Sequence, residues 1–378
     1  MRRRLLTALL TPLLLAACAT RPGADDAQGS FAVAVPPVEA ARLDPPLALA
    51  MPSAPLDAAA PITRLAFGSC NQQYRRQDFW GAIEATDPDA FIYLGDNVYG
   101  DVRTDDPTLP ELRGAYYQLA RSDDFAAFRA AVPVIPVWDD HDYGANDQGA
   151  EFPLKETAEA IFEDAWALAA DDPRRARPGV YHETSVGPDG QRVQVILLDT
   201  RFFRSDLEAT DAFGAPGKER YVPTDDPAQT MLGAEQEAWL AEALAEPADL
   251  RVVVSSVQVL ADGHGWEAWA TLPLARERLL AALGAASGRV VVVSGDRHAG
   301  GLYEADGLIE MTASSLNAPI NGGAPLAYEE AGPNRLGPMV REANFGTLEI
   351  DWTAGKGTFR LLNMDSAVVQ EKAFTLDG

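Results

Sequence analysis

Short apolar runs recur along the chain from residue 61, and they set the pattern of its predicted strands. Each run is continuous and rich in Val, Ile, Leu or Phe, which is typical of strands covered on both faces. The runs are "RLAFGSC", "AFIYLGD", "VPVIPVWDD", "VQVILLDTR", "RVVVSSVQVL" and "RVVVVSGDRH". They predict a buried sheet rather than strands with one face in water.

The segments between these runs carry apolar residues at the three- and four-residue spacing of helices that cover a sheet. They are "RQDFWGAIEAT", "ETAEAIFEDAWALAA", "GAEQEAWLAEALAE" and "PLARERLLAALG". Two later segments, "NFGTLEIDW" and "GTFRLLNM", alternate apolar and polar residues as antiparallel strands do. We therefore predict one α/β domain over residues 61–378, with helices on its sheets.

The first 60 residues have a different character. "MRRR" precedes the apolar stretch "LLTALLTPLLLAA", which is short for a membrane span and ends in "LAAC". This pattern predicts a lipoprotein signal peptide over residues 1–18, with Cys18 as the lipidated residue that anchors the protein to a membrane. Residues 19–60 are rich in Ala and Pro, which predicts a flexible tether. The expected location is the periplasm or cell envelope of a bacterium.

Charge and cysteine content narrow the function. The sequence has 31 Lys and Arg against 56 Asp and Glu, a formal charge of −25. Such a surface repels polyanions, so a role in packaging nucleic acid is excluded, as is binding to anionic lipid through a basic patch. Of the two cysteines, Cys70 stands alone once Cys18 carries lipid. In an oxidising compartment we expect its thiol to be buried or bound to something.

Polar residues with ligand chemistry follow five of the apolar runs. The carboxyl ends of strands in α/β sheets converge on a shared crevice, so these residues are expected to meet. They are Cys70, then Asp96 and Tyr99, then Asp139, Asp140 and His141, then Asp199 and Arg201, and finally Asp296, Arg297 and His298. A lone Asp after a strand commonly caps a helix or a turn, but capping does not require Gly-Asp-x-x-Tyr or Asp-x-His.

The stretch "VWDDHDYGAND", residues 137–147, concentrates four aspartates around His141. Buried carboxylates at short range raise one another's pKa and take up protons. A polyvalent cation removes this repulsion and keeps them ionised. The pattern therefore predicts a metal centre with more than one ion.

The order of the motifs resembles that of a known family. "FGSCN", "YLGDNVYGD", "WDDHDYGAND", "ILLDTR", "SSVQVL", "SGDRHAG" and "NFGTLEIDW" are similar to the motifs of the alkaline phosphatase D (PhoD-like) metallophosphoesterases over residues 65–355. The resemblance implies a four-layer α/β/β/α sandwich of two packed sheets. It also implies that the protein hydrolyses phosphate mono- or diesters outside the cytoplasm, with a ferric ion paired with calcium.

The donor types agree with that pair of metals. A thiolate and a phenolate suit Fe(III), and carboxylate and amide oxygens suit Ca²⁺. The implied iron ligands are Cys70, Asp96, Tyr99 and His298, with Asp96 as the bridge to calcium. The expected oxygen ligands are Asp139, Asp140, Asp296 and Asn146 or Asp147. Zn, Mn or Mg are possible substitutes at either position.

The expected reaction is direct attack on phosphorus by a metal-activated hydroxide. No Gly-x-Ser-x-Gly motif indicates a serine nucleophile. His141 is expected to hydrogen-bond the transition state or protonate the leaving oxygen. Arg201 and Arg297 are candidates to bind phosphate, and the alternative for each is a structural ion pair with a nearby Asp.

Two other functions stay open at this point. One is a phosphodiesterase of phospholipase D type that acts on lipid or wall-polymer diesters. The other is a calcium-stabilised binding lipoprotein without catalysis. His264 is expected in a loop near the substrate or in support of the ligands, and residues 204–230 are expected to shape the pocket entrance.

Overall fold

Thirteen strands and six α-helices form the part of the chain that the computed structural model describes, residues 50–320 and 332–377. The strands are β1 (Arg64–Gly68), β2 (Ala90–Tyr93), β3 (Val134–Ile135), β4 (His182–Val186), β5 (Val193–Leu197), β6 (Leu250–Ser255), β7 (Arg289–Ser294), β8 (Gly300–Ala305), β9 (Leu308–Ala313), β10 (Arg335–Val340), β11 (Asn344–Asp351), β12 (Lys356–Asn363) and β13 (Val368–Thr375). The helices are α1 (Trp80–Glu84), α2 (Pro110–Ala120), α3 (Asp123–Ala131), α4 (Lys155–Ala165), α5 (Gly233–Ala245) and α6 (Pro273–Ala285).

The strands form two mixed sheets. The first has the order β13-β12-β11-β1-β2-β3, and the second has the order β10-β8-β9-β7-β6-β5-β4. In the first sheet β1, β2 and β3 run parallel, and β11 joins β1 antiparallel with Leu65 opposite Leu348. Strands β11, β12 and β13 continue antiparallel, which confirms the predicted antiparallel ending of the chain.

The parallel centre of the second sheet is buried on both faces. Val252 and Val254 of β6 belong to the hydrophobic cluster that extends into the first sheet. Val253, between them, belongs instead to a second cluster with Leu240 of α5 and Leu279 of α6. Since successive residues of a strand point to opposite faces, both faces of this strand need apolar side chains.

Helices also cover the outer face of the first sheet. The Trp80 ring of α1 lies 5.3 Å from the ring of Phe91 in β2 and 4.8 Å and 4.7 Å from those of Phe125 and Phe128 in α3. Two packed sheets with helices on each outer face make four layers. The predicted α/β/β/α sandwich is therefore confirmed.

The third predicted strand is much shorter than its apolar run. Only Val134 and Ile135 of "VPVIPV" form β3. The flanking Pro133 and Pro136 have no backbone N–H to donate to a neighbouring strand, which confines proline to the ends and edges of sheets. The chain therefore leaves the sheet early, and residues 136–147, which carry several of the predicted ligands, are irregular.

The amino-terminal boundary of the domain differs from the predicted tether. Met51 is buried and its N–H donates to the carbonyl of Ala165, and the Ala54 N–H donates to the carbonyl of Arg129, each at 2.7 Å. Residues 51–54 thus pack on the domain, although we predicted that the tether extends to residue 60. The predicted signal peptide, Cys18 and residues 19–49 lie outside the described residues. Within the described ranges, no helix has the length and apolar character to cross a bilayer.

Candidate metal centre

Five residues of the candidate centre and its surroundings have a backbone conformation that residues with side chains rarely adopt. Their φ angles lie between 50° and 67°, and they are half of the ten non-glycine residues with positive φ in the described ranges. They are Cys70, Asp96, Asp147, Asp296 and His298. Strain of this kind persists where surrounding contacts fix the backbone, and it is concentrated at functional sites.

A sulfur, a phenol, a carboxylate and an imidazole meet where β1, β2 and β7 end. The Tyr99 hydroxyl donates to Asp96 Oδ2 at 3.1 Å and lies 2.8 Å from His298 Nε2. Cys70 Sγ lies 3.5 Å from the same Asp96 oxygen and 3.1 Å from Ser314 Oγ. The thiol is free and buried, and burial raises its pKa to about 11. The four predicted iron ligands are thus close enough to bind one ion.

A second group of carboxylates adjoins the first. Oxygens of Asp139, Asp140 and Asp296 lie within 4.8 Å of one another, as do ligand atoms of Asp96, Asp140 and His141. Asp96 and Asp140 therefore connect the two groups. The two groups of ligands are therefore as close together as a site for two neighbouring cations requires.

The buried carboxylates lack partners where a cation would bind. Asp96 Oδ1 and Asp139 Oδ2 are enclosed and accept no hydrogen bond from residues 50–320 or 332–377. Burial raises the pKa of Asp96 well above its usual range and that of Asp139 to about 6. Burial, followed by the charges of Asp139 and Asp140, also raises the pKa of Asp296. Oxygens that are unpaired and costly to ionise fit a bound metal, which supplies the missing charge.

His141 is held by a residue that we did not single out from the sequence. Its Nδ1 lies 2.6 Å from Asp101 Oδ1, and its ring stacks on Tyr99 with centroids 4.2 Å apart. Burial disfavours the imidazolium, but Asp101, Asp140 and Asp96 together raise the pKa of His141 well above its usual range. Asp101 ends the quoted motif "YLGDNVYGD", so the signal was present at that position. The arrangement fixes the ring and leaves Nε2 for another partner.

Comparisons with known proteins agree with this geometry. The family model described as PhoD-like phosphatase matches residues 65–361. The chain belongs to the PhoD-like phosphatase family. A solved structure of PhoD is 20% identical, with a TM-score of 0.67, and the match covers 86% of this chain and 72% of that one. GAP50, the anchor in the inner membrane complex of Plasmodium, is 12% identical, with a TM-score of 0.55 and coverage of 84% and 90%. A sequence comparison with curated proteins found no match.

Family membership makes the protein a metal-dependent phosphoesterase. It removes the alternative of a calcium-stabilised lipoprotein that only binds. The two structural matches share little sequence, so they support the fold alone, and the family model carries the activity.

Arg201 does not have the substrate-binding position that we considered in this PhoD-like phosphatase. Its side chain is fully buried, with Nη2 2.5 Å from Asp139 Oδ1 and Nη1 2.7 Å from Glu267 Oε2. Glu267 also pairs with Arg204 Nε at 2.9 Å. A guanidinium enclosed by two carboxylates cannot reach a substrate phosphate. The alternative, a structural ion pair, is therefore correct for Arg201.

Asp147 contacts the centre through its backbone N–H, and one of its carboxylate oxygens is bound by residues of the 204–230 segment. The Asp147 N–H donates to Asp140 Oδ2 at 2.7 Å, while Asp147 Oδ2 accepts from Arg220 Nη1 at 2.7 Å and from the Tyr221 hydroxyl at 2.8 Å. Both donors belong to residues 204–230, so that segment reaches the metal centre. The choice between Asn146 and Asp147 as an oxygen ligand stays a prediction.

Arg297 and His264 both lie next to Trp266. The Arg297 guanidinium is 5.6 Å from the Trp266 ring centroid, and the Trp266 N–H donates to His264 Nδ1 at 3.2 Å. His264 Nε2 lies 3.2 Å from Gln258 Oε1, so this loop histidine contacts a residue of the motif "SSVQVL". The substrate-binding role of Arg297 stays a prediction.

Ser314 could not have been identified from the sequence. Its hydroxyl contacts Cys70 Sγ and accepts a hydrogen bond from the His298 N–H at 2.9 Å. It follows β9 in the ordinary stretch "TASS", which carries no motif. Its role depends on the pairing of β9 with β7, which only the fold reveals.

We predict that Arg201→Gln lowers the free energy of unfolding by about 3–5 kcal/mol, because it leaves Asp139 and Glu267 buried without this counter-charge. Urea unfolding of the purified protein measures this. Arg278→Gln is the control, because it removes an exposed ion pair with Glu237 and should cost about 0–1 kcal/mol. Unchanged stability together with a raised KM would instead restore the substrate-binding role of Arg201.

Proposed function

We propose that this PhoD-like phosphatase hydrolyses phosphate esters outside the cytoplasm, with water attacking phosphorus directly. The observation that carries the proposal is the meeting of Cys70, Asp96, Tyr99 and His298 beside the carboxylate group of Asp139, Asp140 and Asp296. The absence of a nucleophile-elbow serine in the sequence supports attack by water over a covalent phosphoenzyme.

We assign two metal ions to two sets of ligands. The ligands of Fe(III) are Cys70, Asp96, Tyr99 and His298, and those of Ca²⁺ are Asp139, Asp140, Asp296 and Asn146. A thiol and a phenol beside an imidazole and a carboxylate support the iron assignment, since thiolate and phenolate suit a high-valent ion. The oxygen-only donors of Asp139, Asp140 and Asp296 support calcium. Such ions supply Lewis acidity towards water and phosphoryl oxygens and neutralise charge in the transition state.

His141 is the proposed acid for the leaving oxygen. Asp101 holds Nδ1 and Tyr99 packs against the ring, so Nε2 is the nitrogen available to donate a proton. The three surrounding carboxylates favour the protonated imidazole in the absence of metal. Arg297, beside Trp266, is the proposed partner for a phosphoryl oxygen.

The amino-terminal sequence supports the proposed location. A basic start, a short apolar stretch and "LAAC" fit a lipoprotein anchored through Cys18. Cys70 is the second cysteine of the sequence, and it is free and buried in the described structure. A thiol that is enclosed and available to a metal is compatible with an oxidising compartment.

We predict that Asp96→Asn lowers kcat/KM for p-nitrophenyl phosphate by on the order of 10²–10³-fold or more, because it removes the charge shared by the two ligand groups. Asp306→Asn is a matched control: Asp306 is exposed and has φ of 49°, against 50° for Asp96. Activity of Asp96→Asn within about threefold of the parent would contradict the assigned centre. Exclusive hydrolysis of bis-p-nitrophenyl phosphate would favour the phosphodiesterase alternative.

A second prediction concerns the leaving group. His141→Gln should lower kcat by about 10²–10⁴-fold for an alkyl ester such as glycerol 2-phosphate, because the alkoxide needs a proton. The loss should be much smaller for p-nitrophenyl phosphate, whose leaving group is stable as an anion. His182→Gln, on the edge strand β4, is the control. Equal losses on both esters would mean that His141 does not protonate the leaving oxygen.

A further inference from the structure

A cleft of about 540 Å³ lies between residues 73–77 and helix α2. This is within the size range of sites for small organic ligands. The residues that carry the argument are Gln73, Tyr74, Arg75, Tyr117, Gln118 and Arg121, and Asp124 contributes one carboxylate to the lining. None of these residues has a role in the reaction described so far.

The wall of this cleft is hydrogen-bonded to the backbone segments that carry two of the candidate metal ligands. The Gln73 side chain brackets the backbone of Tyr99: Nε2 donates to the Tyr99 carbonyl at 3.1 Å, and Oε1 accepts from the Tyr99 N–H at 2.8 Å. Arg75 Nη1 donates to the Asn317 carbonyl at 2.9 Å, and the Asn317 N–H donates to the Cys70 carbonyl at 3.5 Å. The cleft is therefore built on the same segments as two of the ligands.

The cleft adjoins the His141 side of the centre. Gln73, in the wall of the cleft, holds the backbone of Tyr99, and the Tyr99 ring stacks on His141 with centroids 4.2 Å apart. One residue, Tyr99, therefore links the cleft wall to the ring that Asp101 holds. A proton donor must stand beside the leaving oxygen, so a cleft that begins here is placed to receive the leaving group.

The cleft presents two cations that carboxylates do not neutralise by contact. Arg75 and Arg121 are exposed, and neither forms an ion pair within residues 50–320 and 332–377, whereas the neighbouring Arg76 pairs with Asp78. Arg121 Nη1 donates to the Tyr117 hydroxyl at 2.9 Å. In a protein with a formal charge of −25, two such guanidiniums at one cleft favour an anion there.

We propose that this cleft is a leaving-group subsite, and that it selects phosphate esters whose leaving group carries an anionic group of its own. A second carboxylate or phosphate on the leaving group would meet Arg75 and Arg121, and the rings of Tyr74 and Tyr117 would pack against its organic part. A small neutral alcohol would leave the cleft empty. The inference rests on the proposed function, because it takes His141 to mark the leaving-group side.

The test compares benzyl phosphate with 4-carboxybenzyl phosphate, which differ by one anion far from phosphorus. We expect the parent protein to prefer the carboxylated ester. The ratio of the two kcat/KM values should fall about 1.5- to 5-fold in Arg75→Gln and in Arg121→Gln, and further in the double variant, as exposed ion pairs contribute. Arg76→Gln is the control: it removes the same charge from the next residue, which does not line the cleft, and should leave the ratio unchanged.

Two outcomes would overturn the inference in different ways. The ratio of the two kcat/KM values could stay unchanged in the double variant, or it could fall equally in Arg76→Gln. Either result would show that the cleft does not bind the second anion. Hydrolysis of neither ester by the metal-loaded parent protein would overturn the proposed reaction, and this inference with it. The ratio is the readout because Arg75 also supports Asn317, so a general loss of activity would affect both esters alike.

Discussion

The repulsion among carboxylates gathered at the strand ends is the constraint on which the centre depends. Asp96, Asp139 and Asp140 are buried together, and the compensation that the protein provides is incomplete. Arg201 neutralises Asp139 in a fully enclosed ion pair, but Asp96 Oδ1 and Asp139 Oδ2 have no hydrogen-bond partner in the described part of the chain. Leaving such charges unpaired is costly, and cations at these oxygens would supply the missing charge.

The layers of the fold could be predicted from the sequence because burial on two faces leaves a strong pattern. The valines of β6 and β7 pack alternately against the other sheet and against α5 and α6, so their runs are continuous. Elements with weaker patterns were not identified, among them α2, α3 and the edge strands β10 and β13. Edge strands bury few side chains, so their apolar patterns are weak. In addition, β10 pairs with β8 and not with a strand next to it in the sequence, which local sequence does not encode.

The candidate ligands could be recognised from the sequence because Cys, Tyr and Asp-x-His are unusual directly after strands. The residues that contact these ligands could not be recognised in this way. Asp199 follows a strand, as the candidate ligands do. It nevertheless acts as a turn residue, because its carboxylate accepts hydrogen bonds from the N–H groups of Val180, Arg201 and Phe202. The contact of Asp147 with residues 204–230 also depends on how a long loop returns to the sheet. Residue type indicated the chemistry, while the division between metal ligand, counter-charge and turn required three-dimensional contacts.

Metal content per chain, measured by elemental analysis of the protein as purified, tests the central claim most directly. The account predicts about one iron and at least one calcium, with iron lost in Cys70→Ala, since Cys70 Sγ lies beside Asp96 in the first ligand group. Two zinc or manganese ions would contradict the assignment of thiolate and phenolate to Fe(III). A protein without stoichiometric metal, even after reconstitution, would contradict the claim that cations hold these carboxylates together.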